Sequence, residues 1–366
     1  MRAHYVMVGG FLGAGKTTAL LQAGEYLSRL GHRVGLIMND QSANLVDTAL
    51  VRSRNLAVEE IAGGCFCCRF NSLIEAAARL DASARPEVFL AEPVGSCTDL
   101  TATVGLPLRQ MYGDRYDVAP LSVIVDPDRA LRVLGVEAGR SFSPKVLYVY
   151  RKQLEEADVL VINKTDTTAP ERIAALREAL QAALPAARTV EMSARTGTGV
   201  AEWVDGLLTG HAGGRVLEID YDTYAEGEAL LGWLNCIVRL EGAAVDGDEL
   251  LQAIATRIHG DLSQGGLEIA HLKLTLTPVE GGGISVVNAV RTDSRPELAF
   301  ALDANLDSGE ITLNLRAEAA PERLESAVRS ALDAEGRERA IRLDVRDLER
   351  FRPGRPVPTH RLAAAR

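Results

Sequence analysis

Gly10–Thr17 reads GFLGAGKT, preceded by the apolar run His4–Gly10 (HYVMVGG) and followed by Thr18–Leu30 (TALLQAGEYLSRL), whose apolar residues recur at helical spacing. A strand, a glycine-rich turn and a helix in this order make a phosphate cradle. The glycines let the backbone wrap an anion, so that successive N–H groups and the helix N-terminus face it. In the pattern G-x-x-x-x-G-K-[ST], Lys16 reaches the terminal phosphates and Thr17 offers its hydroxyl to Mg²⁺. Gly10, Gly13, Ala14, Gly15, Lys16, Thr17 and Thr18 are therefore the expected phosphate-binding set. A glycine-rich turn with a chance lysine accounts poorly for both flanks.

Downstream, short apolar runs alternate with helical patterns: RVGLIMND (33–40), PEVFLAEP (86–93), LSVIVDP (121–127), ADVLVINK (157–164) and RTVEMSA (188–194). Strands apolar on both faces and separated by helices predict a mainly parallel sheet covered on both sides, an α/β P-loop NTPase domain over residues 1–209. Leu208–Glu228 is Gly-rich and polar with no apolar period, so a linker is expected over 210–228. Residues 229–350 are strand-rich with two helical patterns, Asp246–Leu262 and Ala320–Gly336, which predicts a smaller α+β sheet domain of split βαβ type. The Pro- and Arg-rich tail, 351–366, is expected to pack over the surface or fray.

The run VLVINKTD ends in Asn163, Lys164, Thr165 and Asp166, an N-K-x-D pattern. An aspartate carboxylate accepts two hydrogen bonds from guanine N1–H and the 2-amino group, a donor pair that adenine lacks, so GTP is the expected nucleotide. Ser193 and Ala194, in EMSARTGTG, fall where a second loop meets the base. The chain has five lysines against thirty-five arginines, and two of the five, Lys16 and Lys164, lie inside these motifs. A compact ammonium there does what a planar guanidinium does not.

Two strand-to-loop junctions lie between the phosphate and base motifs. Asn39 and Asp40 end one strand; Glu92 ends the next, with Gly95 three residues later. Asp40 and Glu92 are the expected Mg²⁺ and water-facing acids, and Gly95 a backbone donor to the γ-phosphate. In isolation, Asp40 is equally a helix cap and Glu92 a surface carboxylate. Between the junctions, GGCFCCRF (63–70) packs Cys65, Cys67 and Cys68 behind two glycines. Thiolates suit Zn²⁺, Cu⁺ or tetrahedral Co²⁺. On an extended strand Cys68 faces away from the other two, so a shared ion requires a turn, which Gly63 and Gly64 permit. Cys97 is a candidate fourth ligand. A redox pair fits less well, because vicinal cysteines form a strained disulfide and no C-x-x-C is present. Packing alone rarely explains such a cluster.

GFLGAGKTT, GGCFCC, the E-x-x-G at Glu92 and NKTD together resemble the CobW-type metallochaperone GTPases, relatives of the GTPases that insert nickel into hydrogenase and urease. The resemblance covers residues 4 to about 209. It implies a Mg²⁺-dependent GTPase that carries zinc or cobalt to a client metalloprotein or a cofactor-assembly protein, with a cobalamin-linked pathway among the destinations. By position it matches Cys65, Cys67 and Cys68 to the family's metal-binding cysteines and Glu92 to its switch glutamate; Asp40 corresponds only loosely to the first switch acid. The chain departs from the family in reading NDQSANLVD (39–47) for an acidic run, EPVGSCTDL (92–100) for E-T-T-G-L-A-D-P, and in lacking a histidine-rich stretch. No Arg finger is identifiable, so slow intrinsic turnover, relieved by a partner or a second copy of the chain, is expected.

Composition sets outer bounds. A net charge of −10 argues against a broad nucleic-acid surface. Five cysteines, three of them clustered, suit a reducing cytoplasm rather than a disulfide scaffold. No apolar run reaches membrane-spanning length, and no cleaved leader is expected ahead of a motif that starts at once. His259, His271 and His360 are read as packed or surface residues. Two further readings compete: a regulatory GTPase with a fixed structural zinc, and a small-molecule P-loop kinase, which needs no guanine selectivity.

Overall fold

The computed structural model describes residues 2–39, 56–61 and 63–363. The described residues divide into two compact units, the first containing those up to 224 together with 355–363, the second containing 225–354.

The first unit is built on β1 (Ala3–Gly9), α1 (Lys16–Arg29), β2 (Val34–Asn39), β3 (Ala57–Ile61), α2 (Phe70–Ser83), β4 (Val88–Glu92), α3 (Leu106–Tyr112), β5 (Tyr116–Val118), β6 (Ser122–Val125), α4 (Pro127–Val133), α5 (Pro144–Glu156), β7 (Val159–Ile162), α6 (Pro170–Ala183), β8 (Arg188–Glu191) and α7 (Val200–Thr209). Its strands lie in the order β3-β2-β4-β1-β6-β7-β8, with β5 also paired to β1. The pairings β1–β4, β1–β6, β2–β3, β2–β4, β6–β7 and β7–β8 are parallel. β2, β4, β6 and β7 are buried along their whole length, as strands sandwiched between helices must be. Parallel order brings the C-terminal ends of β1, β2, β4, β7 and β8 to one edge, where ligands bind in open α/β sheets. A one-turn π-helix, Thr101–Gly105, precedes α3.

The sequence pattern predicts no element across 208–228, but a helix, α8, occupies Tyr221–Leu230. It carries no amphipathic stripe, and its start is held by specific bonds. Asp220 accepts the N–H groups of Asp222 and Thr223, and the Tyr221 hydroxyl donates to Asp99 at 2.7 Å.

In the second unit β9 (Leu231–Asp246), β10 (Ile269–Pro278), β11 (Ser285–Ala289), β12 (Glu297–Phe300), β13 (Asn305–Glu318) and β14 (Ile341–Phe351) form a sheet in the order β12-β11-β10-β13-β9-β14. β9 and β10 both run antiparallel to β13, which lies between them. With α9 (Gly247–Gln264) joining them, this is the split βαβ arrangement expected from the pattern, and α10 (Pro321–Arg339) repeats it between β13 and β14. Leu234, Cys236, Val238 and Leu240, alternating along β9, join a core with Leu250, Ile254 and Ile258 of α9 and Leu324 and Val328 of α10. Cys236 is thus a packing residue. Among the described residues no helix is long and apolar enough to cross a membrane.

Candidate functional site

The phosphate loop joins β1 to α1. Gly10, Gly13 and Gly15 have φ of 131°, 76° and 96°, a region that L side chains rarely adopt. Space enforces the same choice: a Cβ on Gly10 would lie 2.4 Å from the Ile124 carbonyl oxygen, and one on Gly15 2.5 Å from Asn163 Nδ2. α1 then begins at Lys16 with no side-chain cap on its first amides, which is the form an anion-binding helix start takes. Lys16 and Thr17 are buried and turn toward Glu92 at the end of β4. Lys16 Nζ lies 3.7 Å from Glu92 Oε1, and the Thr17 hydroxyl donates to Glu92 Oε2 at 3.0 Å. A hydroxyl and a carboxylate oxygen side by side at a phosphate loop are the hard donors that Mg²⁺ takes. A Cβ on Gly95 would lie 3.1 Å from Lys16 Nζ, so the loop after Glu92 runs against the same ammonium. Thr18 lies in the first turn of α1. Asp40 falls outside the described residues.

The base motif docks onto the phosphate loop. Asn163 Nδ2 donates to the Ala14 carbonyl at 2.9 Å, and its Oδ1 accepts the Ala194 N–H at 2.9 Å, so one side chain ties together the three loops. Lys164 adopts the left-handed region, φ 61°, and its Nζ reaches the Gly13 carbonyl at 3.0 Å and Asp126 at 2.6 Å. Asp166 accepts the Ser193 hydroxyl at 2.8 Å and lies 3.9 Å from Arg195. Asp126 was not singled out from the sequence. It caps α4 by accepting the Arg129 N–H, and Asp-Pro after a strand signals such a cap without revealing the pairing to Lys164.

The cysteines lie in a turn ahead of α2. Gly63 and Gly64 have φ of 78° and 146°, and the Cys68 and Arg69 N–H groups both donate to the Cys65 carbonyl. That turn brings Cys68 to the side of the other two: the Sγ atoms of Cys65 and Cys67 are 2.7 Å apart, of Cys65 and Cys68 3.3 Å, and of Cys67 and Cys68 3.6 Å. All are free thiols. Hydrogen bonds from Cys67, Cys68 and Cys97 hold the Cys65 thiol well below its ordinary range, whereas Cys67 is pushed well above it by the bond to Cys65. Cys68 is pushed up to about 11 by its own bond to Cys65. Three soft donors within 4.8 Å of one another could hold a metal ion. Cys97 reaches Cys65 and Cys67 but is not part of that mutual group. Asn39, at the end of β2, donates through Nδ2 to the Gly64 carbonyl at 2.7 Å and to Ile61 at 2.9 Å, fixing the entry to the turn.

Two side chains of α5, neither picked out from the sequence, hold the loop after Glu92. Gln153 donates to the carbonyls of Gly95 and Cys97, and Glu156 accepts the Leu100 N–H at 2.8 Å and the Thr98 hydroxyl at 3.1 Å. Burial, then the Asp99 carboxylate, pushes Glu156 up to about 8. His259 faces the Arg291 carbonyl in the second unit, and His360 sets its ring edge-on to Phe70, 5.0 Å between centroids.

The sequence profile described as "CobW/HypB/UreG, nucleotide-binding domain" matches residues 4–191, just over half of the chain. The chain belongs to the CobW/HypB/UreG family. The matched segment holds the phosphate loop, the cysteine turn and the N-K-x-D motif. Among curated proteins it is similar to the zinc chaperone YeiR of Escherichia coli (strain K12), 29% identical over 179 residues, 47% of this chain and 49% of that protein. The chain thus aligns with about half the length of this relative. Among solved structures it is similar to the hydrogenase maturation factor HypB of Archaeoglobus fulgidus, with a TM-score of 0.40, 21% identity, and 56% of this chain and 89% of that one covered. It is also similar to the Zn(II)-bound YjiA GTPase of E. coli, with a TM-score of 0.37, 13% identity, and 90% and 99% covered.

Proposed function

We propose that this protein is a GTP-hydrolysing metallochaperone that takes a transition metal on Cys65, Cys67 and Cys68 and passes it to a client under nucleotide control. The observation that carries the reading is the shared edge: the cysteine turn is hung from Asn39 at the end of β2, next to the strand whose Glu92 meets Lys16 and Thr17. Zinc is the favoured cargo, on the sulfur donor set and on the likeness to a zinc chaperone; cobalt is the second. The client is a metalloprotein or a protein that assembles a metal cofactor.

In this reading the phosphate loop amides and Lys16 bind the β- and γ-phosphates, and Asp166 selects guanine, with Ser193 holding its carboxylate. Asn163 keeps the base and phosphate loops in register. Thr17 and Glu92 are the residues that fit Mg²⁺, which neutralises charge on the phosphates when bound. GTP draws Lys16 from Glu92 toward phosphate, and the loop beginning at Gly95 moves with that carboxylate. Cys97 lies in the same loop and touches Cys65 and Cys67, so the sulfur site feels the change. By linkage, if GTP tightens metal binding, metal tightens GTP binding by the same factor.

Competition of zinc against a chromophoric chelator, with a non-hydrolysable GTP analogue and with GDP, tests the proposal. Different zinc affinities in the two states, together with phosphate release from GTP and not ATP, are expected. Equal affinities overturn it. The burial of Cys65 and Cys67 favours a second reading, a regulatory GTPase with a fixed structural zinc. Zinc retained through turnover in excess chelator selects that one.

A further inference from the structure

Residues Arg355–Leu362 lie on the first unit and touch the cysteine turn at its working atoms. The Val357 N–H donates to Cys68 Sγ at 3.2 Å. The Thr359 N–H donates to the Cys67 carbonyl at 2.8 Å, and its hydroxyl donates to the Cys68 carbonyl at 3.1 Å. Two of the three sulfur-bearing residues therefore have their backbone or sulfur held from a segment far away in the chain. The side chain of Val357 points outward, 70% exposed, so it is the backbone that does the holding. An N–H aimed at a sulfur fixes the direction in which that sulfur presents its lone pairs.

Farther along, the same segment grips the loop that follows Glu92. Arg361 Nε donates to the buried Asp99 carboxylate at 2.7 Å, and the Leu362 N–H donates to the Ala102 carbonyl at 2.9 Å. Asp99 is a non-glycine residue at φ 64°, a conformation that persists only where its surroundings hold it. The Tyr221 hydroxyl also donates to Asp99, at 2.7 Å. Arg355 pairs with Asp222 at the near end of the segment.

We infer that Val357–Leu362 is a strap that positions the cysteine site and carries the state of the Glu92–Thr101 loop to it, with Val357, Thr359 and Arg361 as its positioning residues. The inference rests on the reading that Cys65, Cys67 and Cys68 hold the metal. In a strap that only covers the surface, the amide–sulfur bond has no function. Here it orients Cys68 toward Cys65 and Cys67, and Arg361 ties that orientation to Asp99.

The test uses full-length chains and two probes, Zn²⁺ in chelator competition and Co²⁺ for the energy of its thiolate charge-transfer band. Val357→Pro removes the donor to Cys68 while leaving an exposed position, and it is expected to weaken Zn²⁺ binding about tenfold and to shift the Co²⁺ band. Thr359→Ala is expected to weaken binding severalfold, and Thr359→Ser to restore it. Arg361→Ala is expected to bring the ratio of Zn²⁺ affinities with GTP analogue and GDP toward one, while phosphate release without added zinc stays within about twofold of wild type. Wild-type affinity and band in both Val357→Pro and Thr359→Ala overturn the inference alone. Should a Cys65→Ser, Cys67→Ser double variant bind zinc like wild type, the site reading itself fails and the strap falls with it.

Discussion

The phosphate loop and the cysteine turn are both short, glycine-led segments of one unit, and they satisfy their side chains in opposite ways. Around the phosphate loop, unlike charges are paired: Lys16 with Glu92, and Lys164 with Asp126. In the cysteine turn, like groups are crowded, and what they share is protons. A nucleotide competes with ready-made ion pairs and asks for little change of protonation. A metal ion competes with protons, because thiols bind it as thiolates. The difference teaches where each site takes its control: the first from the geometry of charged partners, the second from whatever sets the protonation and direction of three sulfurs.

The largest expected effect separates the two regions outright. Lys16→Ala removes the ammonium that the proposed function assigns to the terminal phosphates, and phosphate release from GTP is expected to fall by on the order of 100-fold or more. Zinc affinity measured without nucleotide is expected to stay within about threefold of wild type. A comparable loss of zinc binding breaks the comparison, because the two regions then stand or fall together. The converse substitution, Cys67→Ser, replaces a buried soft donor with a hard one. Zinc affinity is expected to fall by about 100-fold, with basal phosphate release unchanged. Unchanged zinc affinity in that variant removes the cysteine turn from the metal site.

The pH dependence sharpens the contrast. With Cys67 raised and Cys68 at about 11, the free turn near neutral pH holds both as thiols, while Cys65, lowered by their hydrogen bonds, is the sulfur most readily ionised. Binding through three thiolates then releases about two protons, so apparent zinc affinity rises with pH, by up to about two powers of ten per unit. GTP affinity over pH 6.5 to 8.5 is expected to be nearly flat. Calorimetry in buffers of different ionisation enthalpy counts the protons, and a count near zero defeats the assignment of protonated Cys67 and Cys68.

Much of this contrast was legible in the residues themselves. GFLGAGKT declares its turn because only glycine tolerates the φ values and contacts at Gly10 and Gly15. C-x-C-C behind two glycines declares a turn for a related reason. What stayed hidden is held by bonds that leave no periodic mark. Gln153 and Glu156 sit within an ordinary helical pattern, and their pairing to loop backbone appears only when α5 is laid beside the loop after Glu92. The helix at Tyr221–Leu230 has no apolar stripe to announce it, and hydroxyl and carboxylate bonds anchor its start. The strap is the extreme case: an amide donating to a sulfur 289 positions away is written in no side-chain pattern.

The smallest expected effect lies beneath the loop that runs between the two regions. Glu156 is buried and raised to about 8, from an ordinary value of 4.5. The native protein therefore holds this proton more tightly than the unfolded chain does. Its contribution to stability is fully present below about pH 4.5 and is lost as pH rises through about 8. Glu156→Gln keeps the shape and an acceptor for the Leu100 N–H while carrying no titrating proton. Relative to wild type, the variant is expected to gain on the order of 2 kcal/mol between pH 6 and pH 8. Urea unfolding at the two pH values measures that difference directly. A gain equal to zero shows that Glu156 is ionised in the folded protein at neutral pH. The Leu100 N–H and the Thr98 hydroxyl then hold an ionised carboxylate beneath the loop after Glu92.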